Sequence, residues 1–248
     1  MFNLKKASYT CAIAALLAST TPATANEDMG MNLPGEFSGT VTLASQYIFR
    51  GITQSNENPA IQGSLDWSHD SGVYLGIWGS NVDFGDGDEA SSEFDLYGGY
   101  NFTVNNIDFG LGGIWYEYPG ADNALNYNYF EFTGSIGYDF GTLATTGSIY
   151  YSPDYYAGSD DSYYYNLAID APLSQMPGGL TLSASLGFMD IDDEVAFGVP
   201  DYTDWSIGLG ATVEGFDVSV TYSDTDLDSS ECADGCDDRV VLAVSRSF

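Results

Sequence analysis

Glu93-Phe94-Asp95-Leu96-Tyr97-Gly98-Gly99-Tyr100-Asn101-Phe102-Thr103 decides the fold. Phe94, Leu96, Tyr100 and Phe102 alternate with Glu93, Asp95, Tyr97 and Asn101. A strand built on this stretch has one apolar and one polar face. The same period recurs on both sides of it. Ahead of it, Ser38–Arg50 carries Val41, Leu43, Tyr47 and Phe49 on one face and Thr42, Gln46 and Arg50 on the other. Ala60–Ser68 sets Ile61, Leu65 and Trp67 against Gln62, Ser64 and Asp66, and Gly72–Val82 follows. After it come Ile107–Tyr118, Tyr127–Phe140, Leu143–Tyr151, Tyr163–Ala171, Leu180–Phe188, Asp204–Val213, Phe216–Ser223 and Asp238–Phe248. These segments predict an all-β, transmembrane antiparallel up-and-down barrel of about 12 strands, an even count as in single-chain bacterial barrels. Weaker alternation in the seventh and ninth segments leaves eight or ten strands open.

The connections sort by length. Those after odd-numbered segments (52–59, 83–92, 119–126, 152–162, 189–203 and 224–237) are long. Most of those after even-numbered segments, such as 69–71, 104–106, 141–142 and 214–215, are tight. Short turns at one rim and longer loops at the other are the pattern of a barrel with both termini in the periplasm. The acids gather in the long set, as in Asp86-Gly87-Asp88-Glu89 and Asp190-Ile191-Asp192-Asp193-Glu194. They read as a solvated outer rim rather than a Ca²⁺ or Mg²⁺ site, because no EF-hand spacing is present. Trp67, Trp115, Tyr116, Tyr118, Tyr127, Tyr129, Tyr150 and Tyr151 lie near segment ends, where interfacial girdles are expected.

The ends fix the address. Lys5 and Lys6 precede an apolar run from Cys11 to Ala18, and Ala23-Thr24-Ala25 offers a cleavage site before Asn26. Residues 1–25 are therefore expected to be a signal peptide, 26–37 a short periplasmic segment and 38–248 the barrel. Removing the signal leaves Arg50, Arg239 and Arg246 against 36 acids, a formal charge of −33. Nucleic acid is excluded as a partner, since phosphate binding needs clustered Lys and Arg. Cys232 and Cys236 lie in Glu-Cys-Ala-Asp-Gly-Cys-Asp-Asp, where an exported protein is expected to form a local disulfide rather than a metal site. The final segment alternates Val240, Leu242 and Val244 up to Phe248. It resembles the assembly signals of Gram-negative outer-membrane proteins, which implies the barrel assembly machinery as a partner. Arg246, on the outward face of that segment, can snorkel to headgroups.

Two stretches near the mature N-terminus carry a family resemblance. They are Val41-Thr42-Leu43-Ala44-Ser45-Gln46-Tyr47-Ile48-Phe49-Arg50-Gly51-Ile52-Thr53-Gln54-Ser55 and Asn58-Pro59-Ala60-Ile61-Gln62-Gly63-Ser64. With Gly72-Val73-Tyr74-Leu75-Gly76-Ile77-Trp78-Gly79-Ser80-Asn81-Val82, they resemble the TorF family of porin-like proteins, sharply over about residues 38–115. That resemblance implies a small outer-membrane barrel and no defined substrate.

Inward parity assigns Asp66, Glu93, Asp95, Asp108, Glu131, Asp170 and Asp217 to the lumen, with Arg50 and Arg239 among them. The first and last segments must be neighbours in a closed barrel, so both arginines are expected near the outer rim. There they would pair with lumen carboxylates at a constriction, or serve as structural ion-pair partners in a largely filled barrel. Inward Tyr74, Trp78, Tyr97, Tyr129 and Tyr164 would fill much of so small a lumen. The expected function is passive diffusion of small neutral or cationic solutes through an outer-membrane porin, with lipids around it and homo-oligomers possible. The alternative is a plugged structural or adhesive barrel whose acidic loops meet ions or a partner. No enzyme is expected, and no cofactor. The one histidine, His69, lies in a His-Asp-Ser-Gly turn that turn chemistry alone explains.

Overall fold

The computed structural model describes residues 34–85, 90–173 and 179–248. The expected signal peptide, the acids 86–89 and part of the 172–179 connection lie outside the described residues. The described chain is β1 (Glu36–Ala44), a small hairpin of β2 (Ile48–Phe49) and β3 (Ile52–Thr53), then β4 (Ala60–Ser68) and β5 (Val73–Asn81). There follow β6 (Ser92–Val104), β7 (Ile107–Glu117), β8 (Tyr129–Asp139), β9 (Ala144–Ser152) and β10 (Ser162–Pro172). Last come β11 (Thr181–Ile191), β12 (Tyr202–Val213), β13 (Phe216–Thr225) and β14 (Arg239–Ser247).

Twelve of these, β1 and β4 to β14, close into one antiparallel barrel in which each strand pairs with its neighbours in sequence and β1 pairs with β14. The seam runs from Thr40 opposite Ser247 to Ala44 opposite Ala243. Phe248 extends it by exchanging backbone hydrogen bonds with Gly39, at 2.9 and 3.2 Å. Closure leaves no free edge, which is the condition for a sheet to stand in hydrocarbon. The wall strands are 9 to 13 residues long, enough for tilted strands to cross a bilayer.

The outward face is mostly apolar. Leu43, Ile61, Leu65, Leu75, Leu96, Leu111 and Leu242 each keep more than half their surface exposed. A soluble protein rarely shows so continuous an apolar surface. Arg246 stands on this face near the short-turn rim, between the rings of Phe216 and Phe248 at 4.9 and 5.7 Å.

Two expectations need correction. The first wall strand ends at Ala44, not at Arg50, and the chain then turns into the lumen. Tyr47 is buried and Phe49 half-buried, so neither joins Val41 and Leu43 outside. The alternation is real, but it belongs to a hairpin folded on itself, with Ile48 opposite Thr53 and Phe49 opposite Ile52. Period-two patterning cannot tell a strand that stays in the wall from one that leaves it. The expected girdle is also divided. Trp115 faces outward, whereas Tyr116, Tyr118, Tyr127, Tyr129 and Tyr150 are buried inside. Consecutive residues of a strand point to opposite faces, so Trp115 and Tyr116 cannot share a belt.

Candidate functional site

The inner hairpin builds the site. Its two-residue turn is Arg50 and Gly51, with φ of 49° and 82°. Gly51 has to be glycine on two counts: its φ is left-handed, and a methyl there would run into Thr225 Cγ2 and sit 2.9 Å from Asp204 Cβ. The hairpin tip thus reaches the inner surface of β12 and β13. Its base is tied by Tyr47 N donating to Ser55 Oγ at 2.9 Å and Gln54 N to Tyr47 O at 2.8 Å. Thr53 N donates to Gly235 O at 2.9 Å, and Asp83 N to Gln54 O at 2.8 Å.

Arg50 ends in a buried ion pair, Nη2 to Glu131 Oε2 at 2.7 Å, with the side chains 4% and 1% exposed. Tyr116 Oη donates to the same carboxylate oxygen at 2.9 Å. The rings of Tyr164, Phe49, Tyr150 and Tyr155 lie 4.3, 4.7, 5.1 and 5.8 Å from the guanidinium. Burial works against the guanidinium charge, but Glu131 outweighs it and holds the group firmly charged. Burial keeps the Tyr155 phenol up at about 12. Burial, and then the charges of Glu93 and Asp95, push the Tyr47 phenol well above its ordinary value, so it remains a donor. Around this centre Tyr118, Tyr127, Tyr156, Phe84 and Phe197 pack ring against ring at the long-loop end of the lumen.

The structure gathers only part of the candidate set. Glu93, Asp95 and Glu131 are buried at 1, 0 and 0% exposure, Glu93 and Asp95 beside Tyr47 and Glu131 on Arg50. Asp66, Asp108, Asp170 and Asp217 lie apart and half-buried. Each accepts from a local hydroxyl: Asp66 from Ser64 and Tyr97, Asp108 from Thr103, Asp170 from Ser183 and Asp217 from Thr212. Arg239 takes separate partners, Glu57 at 3.0 Å and Gln46 at 3.4 Å. Because Glu57 is mostly exposed, that pair stabilises little. Asp204 escaped the sequence reading. It is buried, accepts from Tyr164 Oη at 2.9 Å and touches the hairpin tip. Outward Ile207 and Leu209 place it inward by parity, so the signal was there.

Toward the short turns the lumen changes character. Thr133, Ser135, Ser148, Ser183, Ser185 and Ser206 line it and stay partly accessible. A polar niche of about 20 Å³ opens between Thr181, Ser183, Asp217, Ser219 and Ser245. At the opposite rim Cys232 and Cys236 are joined by a disulfide. Asp193 caps a short helix, Glu194–Phe197, by accepting from Ala196 N at 3.0 Å. Ser71 N donates to His69 Nδ1 at 3.1 Å within its turn. Among the described residues no group of three or more His, Cys, Asp or Glu is placed to hold a metal ion.

A family model described as a bacterial protein of unknown function (Gcw_chp) matches residues 28–248. No curated protein matches the sequence. Among solved structures, a refined porin is similar at 19% identity and a TM-score of 0.41, over 76% of this chain and 62% of that one. The COG4313 outer membrane channel from Pseudomonas putida F1 is similar at 14% identity and a TM-score of 0.49, over 87% of this chain and 96% of that one. OccK5 (OpdH) of Pseudomonas aeruginosa is similar at 12% identity and 0.46, with 58% of its length spanned.

Proposed function

Since the chain belongs to the Gcw_chp family of bacterial proteins of unknown function, we propose its function from geometry: an outer-membrane, porin-like barrel that passes small neutral or cationic solutes through a lumen narrowed by its own inner hairpin. The observation that carries this reading is the pairing of an apolar outer face with a polar inner face on one closed sheet. A lipid-facing wall around a hydrophilic interior is the construction of a membrane channel. Residues 1–25 serve as the cleaved export signal, 26–37 as a periplasmic lead-in, and Phe248 as the handle for the assembly machinery. Within its family we place the chain with TorF-type proteins, on the Tyr47-to-Gly51 hairpin and the strands beside it. The role is transport, not catalysis.

Cation preference follows from the lumen charges. Asp66, Asp108, Asp170 and Asp217 face inward and stay partly accessible, whereas Glu93, Asp95 and Glu131 are buried and Arg50 and Arg239 are paired with Glu131 and Glu57, and a pore lined by acids favours cations. Reconstituted barrels should show a reversal potential of cation-selective sign under a salt gradient, and they should swell in small sugars but not in large ones. An anion-selective sign would overturn the solute assignment. A permanently sealed, adhesive barrel is the second reading, and the buried Arg50–Glu131 pair favours it. Liposomes that never swell, with verified folded protein, would decide for that reading.

A further inference from the structure

Resting on the channel reading above, we propose that the inner hairpin is a proton-latched plug, in which one proton shared by Glu93 and Asp95 holds the lumen shut and its release lets the hairpin leave. The two carboxyl groups project inward from β6 two residues apart and are 1% and 0% exposed. Among the described residues neither oxygen of Asp95 meets a hydrogen-bond donor, nor does Oε2 of Glu93. Glu93 Oε1 accepts from Tyr47 Oη at 3.4 Å, a donor that belongs to the hairpin, and Tyr118 also reaches the Glu93 carboxyl. Beyond these two phenols, which reach Glu93 alone, each carboxyl has the other within bonding range. Two carboxyls in contact bond to each other only when one carries a proton to donate. Two bare carboxylates sealed from water, with Asp95 meeting no donor among the described residues, would be left with a cost that the phenols on Glu93 do not repay.

The surrounding elements supply no alternative counter-charge. The hairpin brings Tyr47 and Arg50, β6 adds Tyr97, and β7 with its outgoing loop adds Tyr116 and Tyr118. From β8 comes Glu131, a third acid, and it engages Arg50 at 2.7 Å. On β5 the partners opposite Asp95 and Glu93 are Trp78 and Ser80, which are uncharged. Of the other arginines in the described chain, Arg239 pairs with Glu57 and Arg246 lies outside the barrel.

The hairpin can leave because it is not part of the wall. Its β2 and β3 form a sheet of two strands of their own, and its other ties named above are the Arg50–Glu131 pair and backbone bonds to Gly235 and Asp83. When it swings out, water reaches the pair, the shared proton passes to bulk water and both carboxylates are hydrated. The closed form therefore binds a proton that the open form releases. Acid favours closure, and rising pH favours opening.

The test is open probability in planar bilayers between pH 5 and 9, for the wild type, for the Glu93→Gln/Asp95→Asn double variant and for Gly51→Ala. In the wild type, opening should rise with pH, by at most about tenfold per unit, the limit for one proton. The double variant, its amides standing in for the protonated pair, should stay closed throughout. Gly51→Ala, which unseats the hairpin, should conduct at every pH. A conducting Gly51→Ala beside a wild type indifferent to pH would overturn the latch and leave the channel reading standing. Silence from Gly51→Ala, with folding verified by heat-modifiable migration, would overturn both.

Discussion

At Gly51 a single methyl group would meet Thr225 and Asp204 on a backbone already at φ 82°. Gly51→Ala should therefore lower unfolding stability by on the order of 1–3 kcal/mol, read as an earlier urea midpoint in detergent. It should also make Trp78, whose ring lies 5.3 Å from that of Tyr47, more accessible to a soluble quencher. Arg50 has larger consequences. Arg50→Met leaves the Glu131 carboxylate buried with only Tyr116 as donor, and removing one partner of such a pair costs about 3–5 kcal/mol. The double change Arg50→Met/Glu131→Gln should recover most of that loss in the same urea titration. Parity alone shows that Glu93, Asp95 and Glu131 face inward, because Phe94, Leu96 and Phe132 face out. It does not show that Arg50 meets Glu131, since that contact depends on a turn that carries Arg50 across the barrel.

Among the elements, the wall strands were legible almost to the residue. The expected Ala60–Ser68 coincides with β4, and Ile107–Tyr118 differs from β7 by one residue. Each is bounded by turn chemistry that fixes where alternation stops, such as Asn105-Asn106 at φ 52° and 65°. The first segment was misread because Ala44, Ser45 and Gln46 keep the period while the backbone leaves the sheet. β11 runs on to Ile191, three residues past the expected Phe188, because Met189 and Ile191 pack inside rather than joining a solvated loop. The faces make a direct prediction. Leu65→Arg, on the lipid side, should cost about 2–4 kcal/mol if the residue lies near the midplane, whereas inward Ser148→Thr should stay within about 0.5 kcal/mol. Urea unfolding in lipid vesicles measures both. Equal effects would mean that the outer face does not contact lipid.

For the whole molecule, closure was readable from an even number of segments and a last strand able to pair with the first. How full the lumen is was not readable, because alternation gives the side a residue faces and not how far it reaches. Whether Tyr164 crosses the interior depends on Gly187, over which its phenol lies with no Cβ in the way. The same holds for Phe84 and Tyr156, which lie in connections that read as a solvated rim, and for Tyr118, expected in a girdle: the three rings pack on one another. What results is a membrane barrel with a polar half facing the short turns and an aromatic half, holding the hairpin, facing the long loops. The most direct test is single-channel conductance of the wild type beside a variant in which residues 46–55 are replaced by a short Gly-Ser turn. The hairpin-free barrel should conduct in steps many times larger than the wild type at the same voltage and salt. Identical currents from the two folded proteins would show that the hairpin does not close the lumen.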